Sequence, residues 1–145
     1  MTVLVGVSSA PEGLAALRAA VDECLARRSG LDVLSTTPRS PSASSQQQAA
    51  AEIRQDPVWA EELEKGRRRL SDAGLELIVH EVSATDRTSA MLDLADQLVT
   101  DLVVIGVRQR TPVGKLLVGS HAQRLLLEAS CPVLVVKAPG RDRPE

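Results

Sequence analysis

Short aliphatic runs recur along this chain, each followed by a stretch in which apolar residues return every three or four positions. This alternation limits the fold more than any other feature. Thr2-Val-Leu-Val-Gly-Val7 and Asp101-Leu-Val-Val-Ile-Gly106 are almost continuously apolar, as expected of strands covered on both faces. Leu31–Thr36 and Pro132–Val136 read as further strands. Leu75–Val82 reads as a strand too, but Glu76, His80 and Glu81 interrupt it, so part of it meets water and an edge position suits it.

Helical spacing fills the intervals. It appears at Leu14, Leu17, Val21 and Cys24, then at Trp59, Leu63, Gly66, Leu70 and Ala73. It returns at Met91, Leu94, Ala95 and Leu98, and at Ala122, Leu125, Leu126 and Ala129. Ser29-Gly30 and Gly74 supply stop signals, and the Ser-, Pro- and Gln-rich stretch Thr37–Gln48 reads as a loop. Strands alternating with helices require right-handed crossovers, hence an α/β fold with a five-stranded, mostly parallel open sheet and helices on both faces. With the two most apolar strands central and the third at the rim, the simplest order is 3-2-1-4-5. That order reverses direction between strands 1 and 4, where open α/β sheets bind ligands.

Size and charge narrow the function. A chain of 145 residues is expected to form one domain, over residues 1–137, with a polar flexible tail over 138–145. The net charge of -2 gives no general attraction for nucleic acid or anionic membrane. Phe and Tyr are absent and Trp59 stands alone, which argues against stacking on exposed bases. No apolar run approaches the roughly 20 residues of a membrane span, and Val3–Val7 is too short for a signal peptide, so a cytoplasmic location is expected. Cys24, Cys131, His80 and His121 lack zinc-ligand spacing, and the cysteines are expected as reduced, buried thiols.

One connection is longer than the fold needs. Twelve residues, Val107–Val118, separate strand 4 from helix 4, against the usual two to six or so. The stretch from Gly106 to Ser120 combines three glycines with Arg108, Arg110 and Lys115, and it ends at a helix start. Amides at Gly119, Ser120 and His121 would face outward with the positive end of the helix dipole, and the cations would neutralise remaining phosphate charge. The competing structural reading is a capping box made by Ser120 and Gln123. A Walker motif fails, because Leu116 follows Gly114-Lys115, and no Gly-x-Gly-x-x-Gly follows a strand.

The pattern Gly106-x2-Gln109-x9-Gly119-Ser120, followed by Ser130-Cys-Pro-Val-Leu-Val-Val136, resembles the signature of the universal stress protein family. The likeness extends over essentially the whole chain, including the Ser-rich turn after strand 1, Asp86 before helix 3 and Thr100–Gly106. The resemblance implies an adenine nucleotide alpha hydrolase-like sheet in the order above and a homodimer joined through strand 5, at Val133, Leu134, Val135 and Val136. It also implies, in some members, ATP or another adenine nucleotide between strands 1 and 4, with Mg2+ arriving only through that nucleotide. By position, Ser8 and Thr36 would lie near base and ribose, and Gly106, Gln109, Gly119, Ser120 and His121 near ribose and phosphates; Arg108 and Lys115 are added from charge. Two departures bear on binding. Ser8 stands where nucleotide-binding relatives typically carry Asp, and Gln109 stands where they carry Gly.

The remaining charged groups have plainer readings. Arg67-Arg68-Arg69 beside Glu61, Glu62 and Glu64 reads as a solvated helix face, and Asp86, Asp93 and Asp96 as dipole compensation and surface. Neither histidine has a nucleophile and acid nearby in sequence, so no triad is expected. The expectation is a stress-response homodimer that binds an adenine nucleotide and signals through a regulatory protein partner, without enzymatic activity. Its alternative is a dimeric interaction module whose nucleotide site has degenerated at Ser8 and Gln109. A slow ATP hydrolase is disfavoured because no residue is evident to orient water.

Overall fold

The computed structural model describes residues 2–7, 11–38, 57–108 and 119–138. Among the described residues nine elements follow one another: β1 (Thr2–Gly6), α1 (Pro11–Arg27), β2 (Gly30–Pro38), α2 (Pro57–Asp72), β3 (Leu77–Ala84), α3 (Arg87–Gln97), β4 (Leu102–Arg108), α4 (Ser120–Glu128) and β5 (Val133–Ala138). The strands form one five-stranded sheet in the order β3-β2-β1-β4-β5, and every pairing is parallel. Strand order and layering agree with the sequence reading, with β3 at one rim and β5 at the other.

Side-chain parity divides the core into two layers. Val3, Val5, Leu31, Val33, Leu102 and Val104 point to the face covered by α1 and α2, where they meet Leu17, Val21, Cys24, Trp59 and Leu70. Leu4, Leu34, Val103 and Ile105 point to the other face, against Met91, Leu94, Ala95, Ala122 and Leu125 of α3 and α4. Alternate residues of a strand face opposite sides, so a strand buried on both must be apolar throughout. This is why β1 and β4 carry the purest runs. Among the described residues, no helix is long and apolar enough to cross a membrane.

Three helices end alike. The amides of Ser29, Leu75 and Thr100 bond to the carbonyls of Cys24, Leu70 and Ala95 at 2.9, 2.8 and 2.9 Å, and the residue before each of these amides is left-handed. That residue is Gly74 after α2, as the sequence suggests, but Arg28 after α1 and Val99 after α3. The expected Ser29-Gly30 stop therefore falls late, because Gly30 is already the first residue of β2. Likewise β4 runs on to Arg108, which shortens the expected connection, and β5 runs to Ala138, the first residue of the expected tail.

The sheet's amino-terminal end is closed by its own polar groups. The Thr2 amide donates to Asp101 Oδ2 at 2.9 Å, and the Thr2 hydroxyl donates to Asp32. Asp32 Oδ1 lies 2.8 Å from His80 Nε2, so β1, β2 and β3 are tied together through one buried carboxylate. At the β3 rim, Arg67 of α2 donates to the outward carbonyl of Leu77 at 3.2 Å. Cys24 is buried as expected, and that burial pushes its thiol up to about 12; Cys131, expected to be buried too, is only partly so, and its thiol is raised in the same direction.

Candidate functional site

The carboxyl end of the sheet is open where β1 and β4 lie side by side. From β1 the chain passes to α1 on one face, and from β4 it passes to α4 on the other. The crossovers diverge here and leave a cleft, as the reversal in strand order demands. Its volume is about 560 Å³, and its described wall includes Gly6, Glu12, Arg87, Gly106, Arg108 and His121.

Gly106 brings α1 against the end of β4. A Cβ built on it would lie 1.9 Å from the carbonyl oxygen of Glu12, which is backbone and unable to yield. The absence of a side chain at Gly106 is thus required by helix packing, whatever enters the cleft. Gly6 has a milder constraint, with its Cβ direction 3.3 Å from Met91 Cε.

Two helix starts border the cleft, and they are finished differently. At α3 the N-cap is Asp86, whose carboxylate accepts from the Thr88 amide at 3.0 Å and from the Ser89 hydroxyl at 2.7 Å. Arg124 of α4 donates to the same carboxylate at 2.7 Å. The Ser89 and Arg124 hydrogen bonds hold the Asp86 carboxyl well below its ordinary range, consistent with the dipole-compensating role expected of it.

At α4 the N-cap is Gly119, in extended geometry with φ −64° and ψ 165°, and no side-chain cap bond is made. The expected Ser120–Gln123 capping box is therefore corrected. Ser120 is already the first helical residue, and the Gln123 amide bonds to the Gly119 carbonyl at 3.0 Å. The opening amides of α4 have no intrahelical partner by helix geometry, and the dipole's positive end faces the cleft uncompensated by a carboxylate at the cap.

His121 joins these two starts. Its Nδ1 lies 2.6 Å from the hydroxyl of the buried Thr88. Burial, reinforced by Arg87 and Arg124 and opposed by Asp86, pushes the imidazole down to about 4, so the ring is neutral at pH 7. The charged side chains of the described wall are Arg87, Arg108 and Glu12. Arg108 Nε stands 3.9 Å from Glu12 Oε1, an ion pair without a hydrogen bond.

The structure thus brings Gly106, Arg108, Gly119 and His121 to one cleft. Thr36 lies on β2 and Ser120 at the exposed start of α4, and neither is among the described wall residues. Ser8, Gln109 and Lys115 lie outside the described residues. Glu12 and Arg87 were missed from sequence. The only signals were an acidic residue in the first turn after β1 and a cation beside the α3 cap, both common on ordinary surfaces. Val133, Leu134, Val135 and Val136 lie half-buried on the rim strand β5. Among the described residues, no group of three His, Cys, Asp or Glu could hold a metal ion.

Comparison with known proteins matches this arrangement. The family model described as the universal stress protein family fits residues 1–137. A universal stress protein of Mycolicibacterium smegmatis is 36% identical over 140 residues, covering 95% of this chain and 98% of that protein. The solved universal stress protein from Archaeoglobus fulgidus shares the fold with a TM-score of 0.71 at 26% identity, over 94% of this chain and 98% of that one. A universal stress protein crystallised in complex with cAMP gives a TM-score of 0.70 at 24% identity, over 96% of this chain and 98% of that one.

Proposed function

The chain belongs to the universal stress protein family, and we propose on that premise that its strand-end cleft binds an adenine nucleotide, ATP or a relative of it. The observation that carries this reading is the bare start of α4. A glycine N-cap with no side-chain bond among the described residues would leave the opening amides and the dipole for an external anion, while the neighbouring α3 consumes its own. Arg87 and Arg108 on the cleft wall add positive charge where phosphates would sit. Neutral His121 fits beside a nucleotide as a hydrogen-bonding wall and not as a cation. The cAMP held by one structural relative is consistent with the same class of ligand.

Binding, and not turnover, is the proposed activity, since the described cleft wall offers phosphate contacts and no evident residue to orient water. Mg2+ would enter only with a bound triphosphate. The protein would act in the cytoplasm as a homodimer paired through β5, with nucleotide occupancy read by a regulatory protein partner in the stress response. Residues 1–137 would form the working domain. Ser8 and Gln109, together with the packing reason for Gly106, favour one rival, a dimeric interaction module that no longer holds nucleotide.

Calorimetric titration with ATP separates the two. The nucleotide reading expects measurable heat and a melting temperature that climbs with ATP concentration. Absence of both at saturating ATP overturns it in favour of the interaction module. Retained ligand is also easy to see: with one Trp and no Tyr the protein absorbs weakly at 280 nm, so co-purified nucleotide would dominate the ultraviolet spectrum.

A further inference from the structure

The cleft wall contains an acceptor that the described residues leave without a hydrogen bond. Glu12 Oε1 is buried and has no hydrogen-bond partner among the described residues, and the Glu12 side chain is only one-fifth exposed. Arg108 Nε, at 3.9 Å, is beyond hydrogen-bond reach, and its side chain is nearly half in water. A buried acceptor without a donor is costly, and of Glu12 Oε1, Ser29 Oγ and Thr100 Oγ1, which share that condition, the Glu12 oxygen belongs to a residue of the cleft wall. Its location is fixed by packing, since the Glu12 backbone is pressed against Gly106 at the end of β4. The group is therefore held in the cleft wall, at the sheet's switch point, waiting for a donor.

We propose that Glu12 accepts hydrogen bonds from the ribose hydroxyls of the bound nucleotide and so selects ribonucleotides over their deoxy counterparts. The inference rests on the nucleotide reading given above. A nucleotide offers few donors: its phosphates and ring nitrogens accept, leaving the exocyclic amine and the sugar hydroxyls. Vicinal hydroxyls present two donors to the two oxygens of one carboxylate, and α/β sheets that bind dinucleotides use an acidic residue for the same sugar. Phosphates are directed elsewhere, to Gly119 and Arg87, because a carboxylate repels them. The end of β1 itself offers only the neutral Ser8-Ser9 in sequence, so Glu12 is the carboxylate that the first crossover brings to the described wall.

The test titrates the full-length wild type and Glu12→Gln with ATP, 2′-deoxy-ATP, 3′-deoxy-ATP and inosine triphosphate. The proposal expects the wild type to bind ATP about tenfold more tightly than at least one deoxy analogue, and Glu12→Gln to bind ATP and that analogue alike. Equal wild-type affinities for ATP and both deoxy analogues overturn it, as does discrimination that persists in Glu12→Gln. A preference for ATP over inosine triphosphate that disappears in Glu12→Gln, with the sugar preference intact, would assign the carboxylate to the base amine and also overturn it. The variant's melting temperature without ligand is the second readout. It should be unchanged or higher, because the buried oxygen lacks a hydrogen bond and its ion pair with Arg108 is long; a fall would make Glu12 a structural partner of Arg108 and end the proposal. Failure of the wild type to bind any of the four nucleotides would sink the nucleotide reading itself, a result distinguishable from loss of sugar selectivity alone.

Discussion

The starts of α3 and α4 stand side by side at the carboxyl end of the sheet, and they differ in what they do with their dipoles. Asp86 closes the first with its own carboxylate, and Arg124 and Ser89 close Asp86 in turn. Gly119 leaves the second open. The two are not independent, because Thr88 and His121 hold them together. One start is a structural anchor, and the other, held in register by it, has no side-chain cap bond among the described residues. Helices need not be capped by the chain itself when a ligand can do so, and the location of the missing cap is then a guide to the ligand.

The comparison can be broken most severely from beneath. Gly106→Ala places a Cβ within 1.9 Å of the Glu12 carbonyl, so α1 must shift from β4. It is expected to lose about 3 kcal/mol of stability in urea unfolding, the upper end of overpacking costs. A loss under about 0.5 kcal/mol, within the usual range for neutral surface substitutions, would show that the approach of α1 is not as close as described.

Making the second start resemble the first sharpens the contrast. Gly119 has ordinary negative φ, and a Cβ added there would meet nothing within 4 Å, so Gly119→Asp should fold and cap α4 as Asp86 caps α3. Its melting temperature should be equal to or above wild type, while ATP affinity falls by roughly tenfold or more because the carboxylate occupies the anion's place. Undiminished affinity by calorimetry would place the phosphates elsewhere.

The link between the starts has a pH signature. His121 has a folded value of about 4, below the ordinary 6.5, so its contribution is present above pH 6.5 and is lost as pH falls toward 4. Wild type should therefore lose melting temperature across that window relative to His121→Gln, which lacks the titrating ring. Parallel curves for the two proteins would mean that the ring is not buried neutral.

The smallest effect is expected at the anchor. Asp86→Asn should lower the melting temperature modestly at neutral pH and leave ATP affinity within about twofold, as the lost cap is exposed. The sign of its pH dependence is fixed: a carboxyl held below the ordinary 3.8 contributes above that value and loses its contribution as pH falls through the lower folded one. The difference between wild type and variant should thus narrow in acid. A difference that widens would contradict the hydrogen bonds assigned to Asp86.

Much of the fold was legible because two-sided burial writes itself into sequence. β1 and β4 are apolar throughout their buried stretches, 3–5 and 102–105, and β3, with Glu76 preceding it and His80 and Glu81 within it, reads as a rim. Of the site, Gly119, His121, Gly106 and Arg108 were visible because a long glycine-bearing connection ends at a helix. The contacts that shape the cleft were not. Thr88 with His121 and Asp86 with Arg124 join residues 33 and 38 positions apart. The Gly106–Glu12 approach depends on how a crossover helix settles on the sheet, which no local pattern records. The capping box failed for a simpler reason: Ser120 and Gln123 match the motif in spacing, but the helix begins one residue earlier than that motif requires.

The Arg67 guanidinium on the Leu77 carbonyl has a consequence for assembly. It occupies the outward acceptor at the start of the β3 margin, and β5 has no counterpart among the described residues. If two copies join through β5 as proposed, a guarded β3 margin would keep the joined sheet from growing further at its outer edges.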